Sequence, residues 1–108
     1  MSSLPAPFRC DVDVPANGGP TRVTPVGELD LATAPTVEAT VAEQRALGAE
    51  HFVLDLREVT FMDSSGLRLV LALHKADPEL VLIAGPPAVQ RVFDATGVTD
   101  RLRWIAPG

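Results

Sequence analysis

Phe61-Met62-Asp63-Ser64-Ser65-Gly66-Leu67 stands between two segments of different period. Before it, His51-Phe52-Val53-Leu54-Asp55-Leu56 is an apolar run of β-favouring residues. After it, Leu67, Leu69, Val70, Leu71 and Leu73 follow the apolar side of a helix. A buried strand must therefore turn into a helix here, and repetition of that step is what builds an α/β fold. Asp63, Ser64 and Ser65 all suit a helix N-cap, because their side-chain oxygens accept bonds from the free N–H groups of the first turn. A serine at such a turn is exposed, firmly held and close to the positive end of the helix dipole. That setting suits a hydroxyl that must accept and then tolerate a phosphate. On position alone, simple capping is the commoner use.

Reading outward gives the remaining elements. Phe8 to Val14 alternates, with Phe8, Cys10, Val12 and Val14 on one face, and predicts a first strand. Asn17-Gly18-Gly19-Pro20 is a turn, and Thr21 to Glu28 a second strand in which Pro25 suggests an edge or a bulge. A helix is expected from Thr33-Ala34-Pro35 to about Leu47, ended by Gly48, with Val37, Val41 and Leu47 as its apolar positions. The third strand is His51 to Leu56, and the helix that follows the serine turn runs to about Lys75, stopped by Asp77-Pro78. Leu80 to Ala84 reads as a strand buried on both faces. Pro87 then opens a helix with Val89, Val92 and Phe93 on one face and Gly97 at its end, and Leu102 to Ile105 is a last strand at an edge. The predicted order is β-β-α-β-α-β-α-β. It makes a small α/β sandwich with a mixed, mostly parallel sheet of about five strands and three or more helices. Residues 1–108 read as a single domain with its core from about 8 to 105, the ends Met1 to Pro7 and Pro107-Gly108 being loose.

Composition narrows the function. A formal net charge of −5, with nine Lys and Arg scattered along the chain, gives no basic footprint for nucleic acid and no attraction to an anionic membrane. No apolar run approaches the roughly 18 residues that span a bilayer, and the start has neither a basic nor an apolar signal region, so a cytoplasmic location is expected. Cys10 is the sole cysteine, and no Cys/His cluster has metal-ligand spacing. Enzymatic use of Ser64 is disfavoured as well. The turn lacks the Gly-x-Ser-x-Gly form of a nucleophile elbow, and of the two histidines, His51 opens a strand while His74 lies ten residues along the helix from Ser64. Ten helical residues span about 15 Å, too far for a base to reach. No Gly-rich phosphate cradle is present, so the chain reads as the substrate of a kinase and not as a kinase.

Three motifs in order, Gly27-Glu28-Leu29-Asp30, Phe61 to Leu67, and Pro87-Ala88-Val89-Gln90-Arg91-Val92-Phe93-Asp94 followed by Gly97, closely resemble those of the STAS domain. The resemblance is to the single-domain bacterial anti-sigma factor antagonists, and it runs from about Phe8 to Ile105. It implies that Ser64, the first serine of the Asp-Ser-Ser-Gly turn, is phosphorylated by an anti-sigma factor that is itself a serine kinase. The unphosphorylated antagonist would capture that factor and free its sigma factor, and a phosphatase of the PP2C type would restore the active form. No cofactor is implied for this chain, because ATP and magnesium would be bound by the partner kinase. The resemblance sets Asp30 beside the serine turn, and the docking surface would then comprise Asp30, Asp63, Ser65, Gly66, Leu67 and Arg68. On the residues' own merits, Asp63 could simply complete the cap, Asp30 hold a turn and Gly66 serve loop geometry, while Phe61, Met62 and Trp104 read as core. Two departures stand out: the segment between Gly66-Leu67 and the Leu80 strand is about one helical turn shorter than in the best-known members, and Arg68 replaces the small residue common after Gly-Leu. The alternative reading is a STAS scaffold that does not switch, serving a stress-signalling assembly or a transporter.

Overall fold

β2 (Thr21–Leu29) carries the architecture, because it is long enough to pair with three other strands. In the computed structural model, which describes residues 7–105, β1 (Arg9–Asp13) lies antiparallel to it, with Arg9 opposite Val26 and Asp13 opposite Arg22. On its other side, Thr21 to Val23 pair in parallel with β3 (Phe52–Asp55), and Gly27 to Leu29 pair in parallel with β4 (Val59–Met62). Pro25, which has no N–H to donate, falls in the gap between those two parallel partners. A bulge follows between Gly27 and Glu28. The irregularity suggested by Pro25 is thus a change of partner within a central strand. β5 (Val81–Ile83) and β6 (Arg103–Ile105) extend the sheet in parallel beyond β3, and β6 is an edge as expected.

Three helices cover the sheet: α1 (Ala34–Ala46), α2 (Ser64–Ala76) and α3 (Pro87–Thr96). The α/β class, the mostly parallel sheet, the leading antiparallel hairpin and the three helices agree with the sequence reading. One element was missed. The chain runs β-β-α-β-β-α-β-α-β, with six strands among the described residues, because Val59 to Met62 forms its own strand before the serine turn. Phe61, expected in the core, is 47% exposed on that strand, whereas Met62 is buried. Leu47, expected on the apolar face of α1, is the cap residue beyond its last turn and points to solvent, 74% exposed. Along the predicted first strand, Phe8 and Cys10 pack against the core, but Val12 and Val14, the latter beyond the end of β1, do not. The expected loose ends lie outside the described residues, apart from Pro7, which is exposed.

The core joins Leu29 of β2, Leu54 of β3, Leu82 of β5, Val70 of α2 and Phe93 of α3, all fully buried. Trp104 is half-buried and meets Phe93 edge-on with ring centroids 5.1 Å apart, while its Nε1–H donates to the Thr99 carbonyl at 2.9 Å. Such a pair adds about 0.5–1.5 kcal/mol beyond the area it buries.

Asp55 closes β3 as a buried carboxylate. Arg57 grips it from two residues on, with Nη2 at 2.8 Å and Nε at 3.0 Å, its backbone N–H adds a 3.0 Å bond, and Arg22 stands 3.9 Å away. Burial works to raise the carboxyl's pKa, but the Arg57 bonds and the two guanidinium charges outweigh it and hold Asp55 below its usual 3.8. A group depressed in the folded state contributes stability that is present above its unfolded value and lost as the pH falls through the folded one. The urea midpoint should therefore drop below pH 3.8, and the gap by which Asp55→Asn is less stable at pH 7 should narrow as the pH falls below that value. An unchanged gap between the two proteins from pH 7 to pH 3 would refute this.

Candidate functional site

The ends of β2 and β4 deliver two carboxylates side by side. Leu29 pairs with Met62 in parallel register, so the next residues, Asp30 and Asp63, leave neighbouring strands together. Asp63 has extended backbone and is the N-cap of α2, its Oδ1 accepting from the N–H groups of Ser65 at 2.8 Å and Gly66 at 3.3 Å. Such a cap stabilises a helix by about 0.5–2 kcal/mol. Of the three candidate caps, Asp63 therefore does the capping. Ser64 becomes the first helical residue and is exposed, while Ser65 sits one position further in, half-buried.

Asp30 holds the second turn of the site. Its Oδ1 accepts from the N–H groups of Ala32 at 3.0 Å and Thr33 at 3.1 Å, which orders the approach to α1. Thr33, the N-cap residue of α1, makes no side-chain bond to the helix. Its hydroxyl instead donates to the Glu28 carbonyl at 2.7 Å and accepts from Asp30 N–H at 2.9 Å, tying the loop to the end of β2.

Gly66 and Leu67 are buried, so they lie under the exposed turn and not on its face. The reason for glycine at 66 is internal. A Cβ there would stand 2.5 Å from Met62 Cγ and 2.8 Å from the Leu29 carbonyl oxygen, which is how closely α2 approaches the sheet. Arg68, in contrast, is exposed, and with Ser65 it borders an open groove of about 400 Å³ between α1 and α2. Leu31, Pro35 and Glu38 form the other side of this groove, and Leu31 is 75% exposed. These three escaped the sequence reading. The available signal was an apolar Leu31 between a turn-forming Asp30 and a helix start, with no strand or helix face to join. Another hollow of about 460 Å³, beside Thr21, Gln44, Leu47 and His51 at the far end of β2, holds none of the expected residues.

The site is therefore an exposed hydroxyl on a capped helix start, flanked by Asp30 and Asp63, with a mixed apolar and charged groove beside it. It can accept a group on Ser64 and present a contact surface. Among the described residues, no group of three or more His, Cys, Asp and Glu is placed to hold a metal ion.

Residues 11–107 match the model of the STAS domain. The anti-sigma-B factor antagonist of Staphylococcus aureus is 35% identical over 78 residues, which cover 68% of this chain and 72% of that protein. The crystal structure of an anti-sigma factor antagonist from Mycobacterium paratuberculosis superposes with a TM-score of 0.81 at 26% identity, covering 99% of this chain and 92% of that one. The anti-sigma factor antagonist SpoIIAA in its unphosphorylated form shares the fold, with a TM-score of 0.69 at 22% identity over 94% of this chain and 89% of that one. This chain belongs to the STAS domain family, alongside the bacterial anti-sigma factor antagonists it resembles.

Proposed function

We propose that this protein is an anti-sigma factor antagonist, switched by phosphorylation of Ser64. Its unphosphorylated form binds an anti-sigma factor that is also a serine kinase, and so releases a sigma factor. The kinase moves the γ-phosphoryl group of ATP onto Ser64 Oγ, with loss of the hydroxyl proton and release of ADP, and the modified protein lets go. A PP2C-type phosphatase hydrolyses the ester and resets the switch. ATP and magnesium belong to the kinase, and this chain supplies no catalytic group. His51, one of its two histidines, stands 3.7 Å from Glu79, away from the serine turn. The whole chain acts as one domain in the cytoplasm; no helix among the described residues is long and apolar enough to cross a membrane.

The observation that carries this reading is the presentation of Ser64. It is exposed at the first position of α2, held by the Asp63 cap, in the motif that resembles the family's phosphoacceptor turn. The names of the Staphylococcus aureus and Mycobacterium paratuberculosis relatives support the antagonist role. Incubation with candidate anti-sigma factor kinases and ATP, followed by mass spectrometry, should place one phosphate on Ser64 and none on Ser64→Ala. Stable co-assembly with such a partner in the absence of any phosphate transfer would favour a scaffold that does not switch.

A further inference from the structure

We propose that Arg68 is the counter-ion for a phosphate on Ser64, so that phosphorylation withdraws a cation from the docking groove as well as adding negative charge. This rests on the reading of Ser64 as phosphoacceptor. The spacing comes first. Ser64 and Arg68 are four residues apart on α2, an arrangement that brings Cβ atoms within about 5–6 Å. Helical side chains lean toward the N-terminus, so the Arg68 guanidinium can reach back over the turn that holds Ser64. An acidic group four residues before a basic one is also the favourable order along a helix.

Three of the first four N–H groups of α2 are already in use. Asp63 Oδ1 takes the N–H groups of Ser65 and Gly66, and Leu67 N–H donates to the Asp63 carbonyl at 3.1 Å. A phosphate on Ser64 meets a capped end and a carboxylate of its own sign. A guanidinium, which binds phosphate through two parallel bonds, is the group that can answer it.

Arg68 is also free to move. It is exposed, and among the described residues no carboxylate lies within 4.0 Å of it. Arg57, locked onto Asp55, has no such freedom. Without phosphate, Arg68 borders the groove with Leu31 and Glu38 and can meet an acidic group of the docked partner. With phosphate, it folds onto Ser64 and leaves the groove.

The test uses the full chain with phosphoserine installed at position 64 during translation, which needs no kinase. A phosphorus NMR titration should give a second phosphate pKa lower in the wild type than in Arg68→Gln by about 0.3 unit, as for an exposed pair at this spacing, with Arg68→Lys in between. Equal values in all three would overturn the pairing. Affinity for the anti-sigma factor supplies the second arm. Arg68→Gln should weaken the unphosphorylated protein roughly five- to tenfold, because there the cation faces the groove. A loss of less than twofold would overturn the role of Arg68 in the groove. Failure of any kinase to modify Ser64 would instead count against the phosphoacceptor reading and leave the NMR comparison intact.

Discussion

Phosphorylated at Ser64, the protein should bind its anti-sigma factor on the order of a thousandfold more weakly than the unmodified form, with Ser64→Ala within a few-fold of it. The magnitude follows from charge at short range. Phosphoserine carries roughly −1.5 to −2 charges at neutral pH, and a paired guanidinium leaves a net of about one. One such charge about 4 Å from a partner carboxylate, at an effective dielectric near 20, is repelled by about 4 kcal/mol, which is a factor of about a thousand in affinity. Within the free protein, the helix dipole offsets only about 0.3–1 kcal/mol of the added charge, and Asp63 already occupies that end. Repulsion at the interface dominates, and no refolding is needed. Ser64→Asp brings a single charge on a shorter arm and should weaken binding by roughly ten- to a hundredfold. Titration calorimetry at about 0.05 M and 0.5 M salt separates charge from bulk, since the screening length shortens severalfold between them and only the electrostatic part recovers. Equal affinities for Ser64→Asp and Ser64→Ala would exclude a charge switch.

Which parts of this could be read in advance depended on how local their causes are. α2 and α3 announced themselves through apolar spacing, and their ends through Asp77-Pro78 and Gly97, the latter with φ of +73° at the cap. β3 and β5 showed as continuous apolar runs. β4 did not, because it is four residues long, exposes its middle two and overlaps the stretch read as a turn. Its partner is the far end of β2, thirty-odd residues earlier, and no local pattern encodes that pairing. The exposure of Leu47 has the same character: the periodicity of α1 runs through it, but the helix stops one residue short. At the site, the serine turn and Asp30 were legible as hydroxyl and carboxylates in capping positions. The groove was not, since Leu31 and Glu38 meet Arg68 only once α1 lies beside α2. The pairing of Asp55 with Arg57 was likewise invisible in a segment that otherwise reads as apolar strand.

Gly66→Val should lower stability by about 3 kcal/mol, and Gly66→Ala by about 1–2 kcal/mol, although both substitutions place a better helix former in α2. Two effects oppose each other here. Replacing a helical glycine by alanine gains up to about 1 kcal/mol from propensity. Against it stands the contact of the new Cβ, 2.5 Å from Met62 Cγ and 2.8 Å from the Leu29 carbonyl oxygen. The methionine can swing aside, but the carbonyl cannot, because Leu29 is fixed in the sheet opposite Met62 and its oxygen accepts from Asp63 N–H at 3.4 Å. The first turn of α2 must therefore lift off β2, and overpacking of this kind costs about 1–3 kcal/mol, more when the added group is branched. For a domain of this size, 3 kcal/mol corresponds to a fall in Tm of roughly 12–24 °C. The displacement also carries Ser64 away from Asp30, so the folded fraction of Gly66→Ala should bind its partner more weakly at a temperature where it is still native. Stability and affinity together decide what the glycine is for. A residue kept small only to admit a partner would change affinity alone, and Gly66→Ala would then unfold at the same urea concentration as the wild type or a higher one. A glycine that seats the helix on the sheet must lower both.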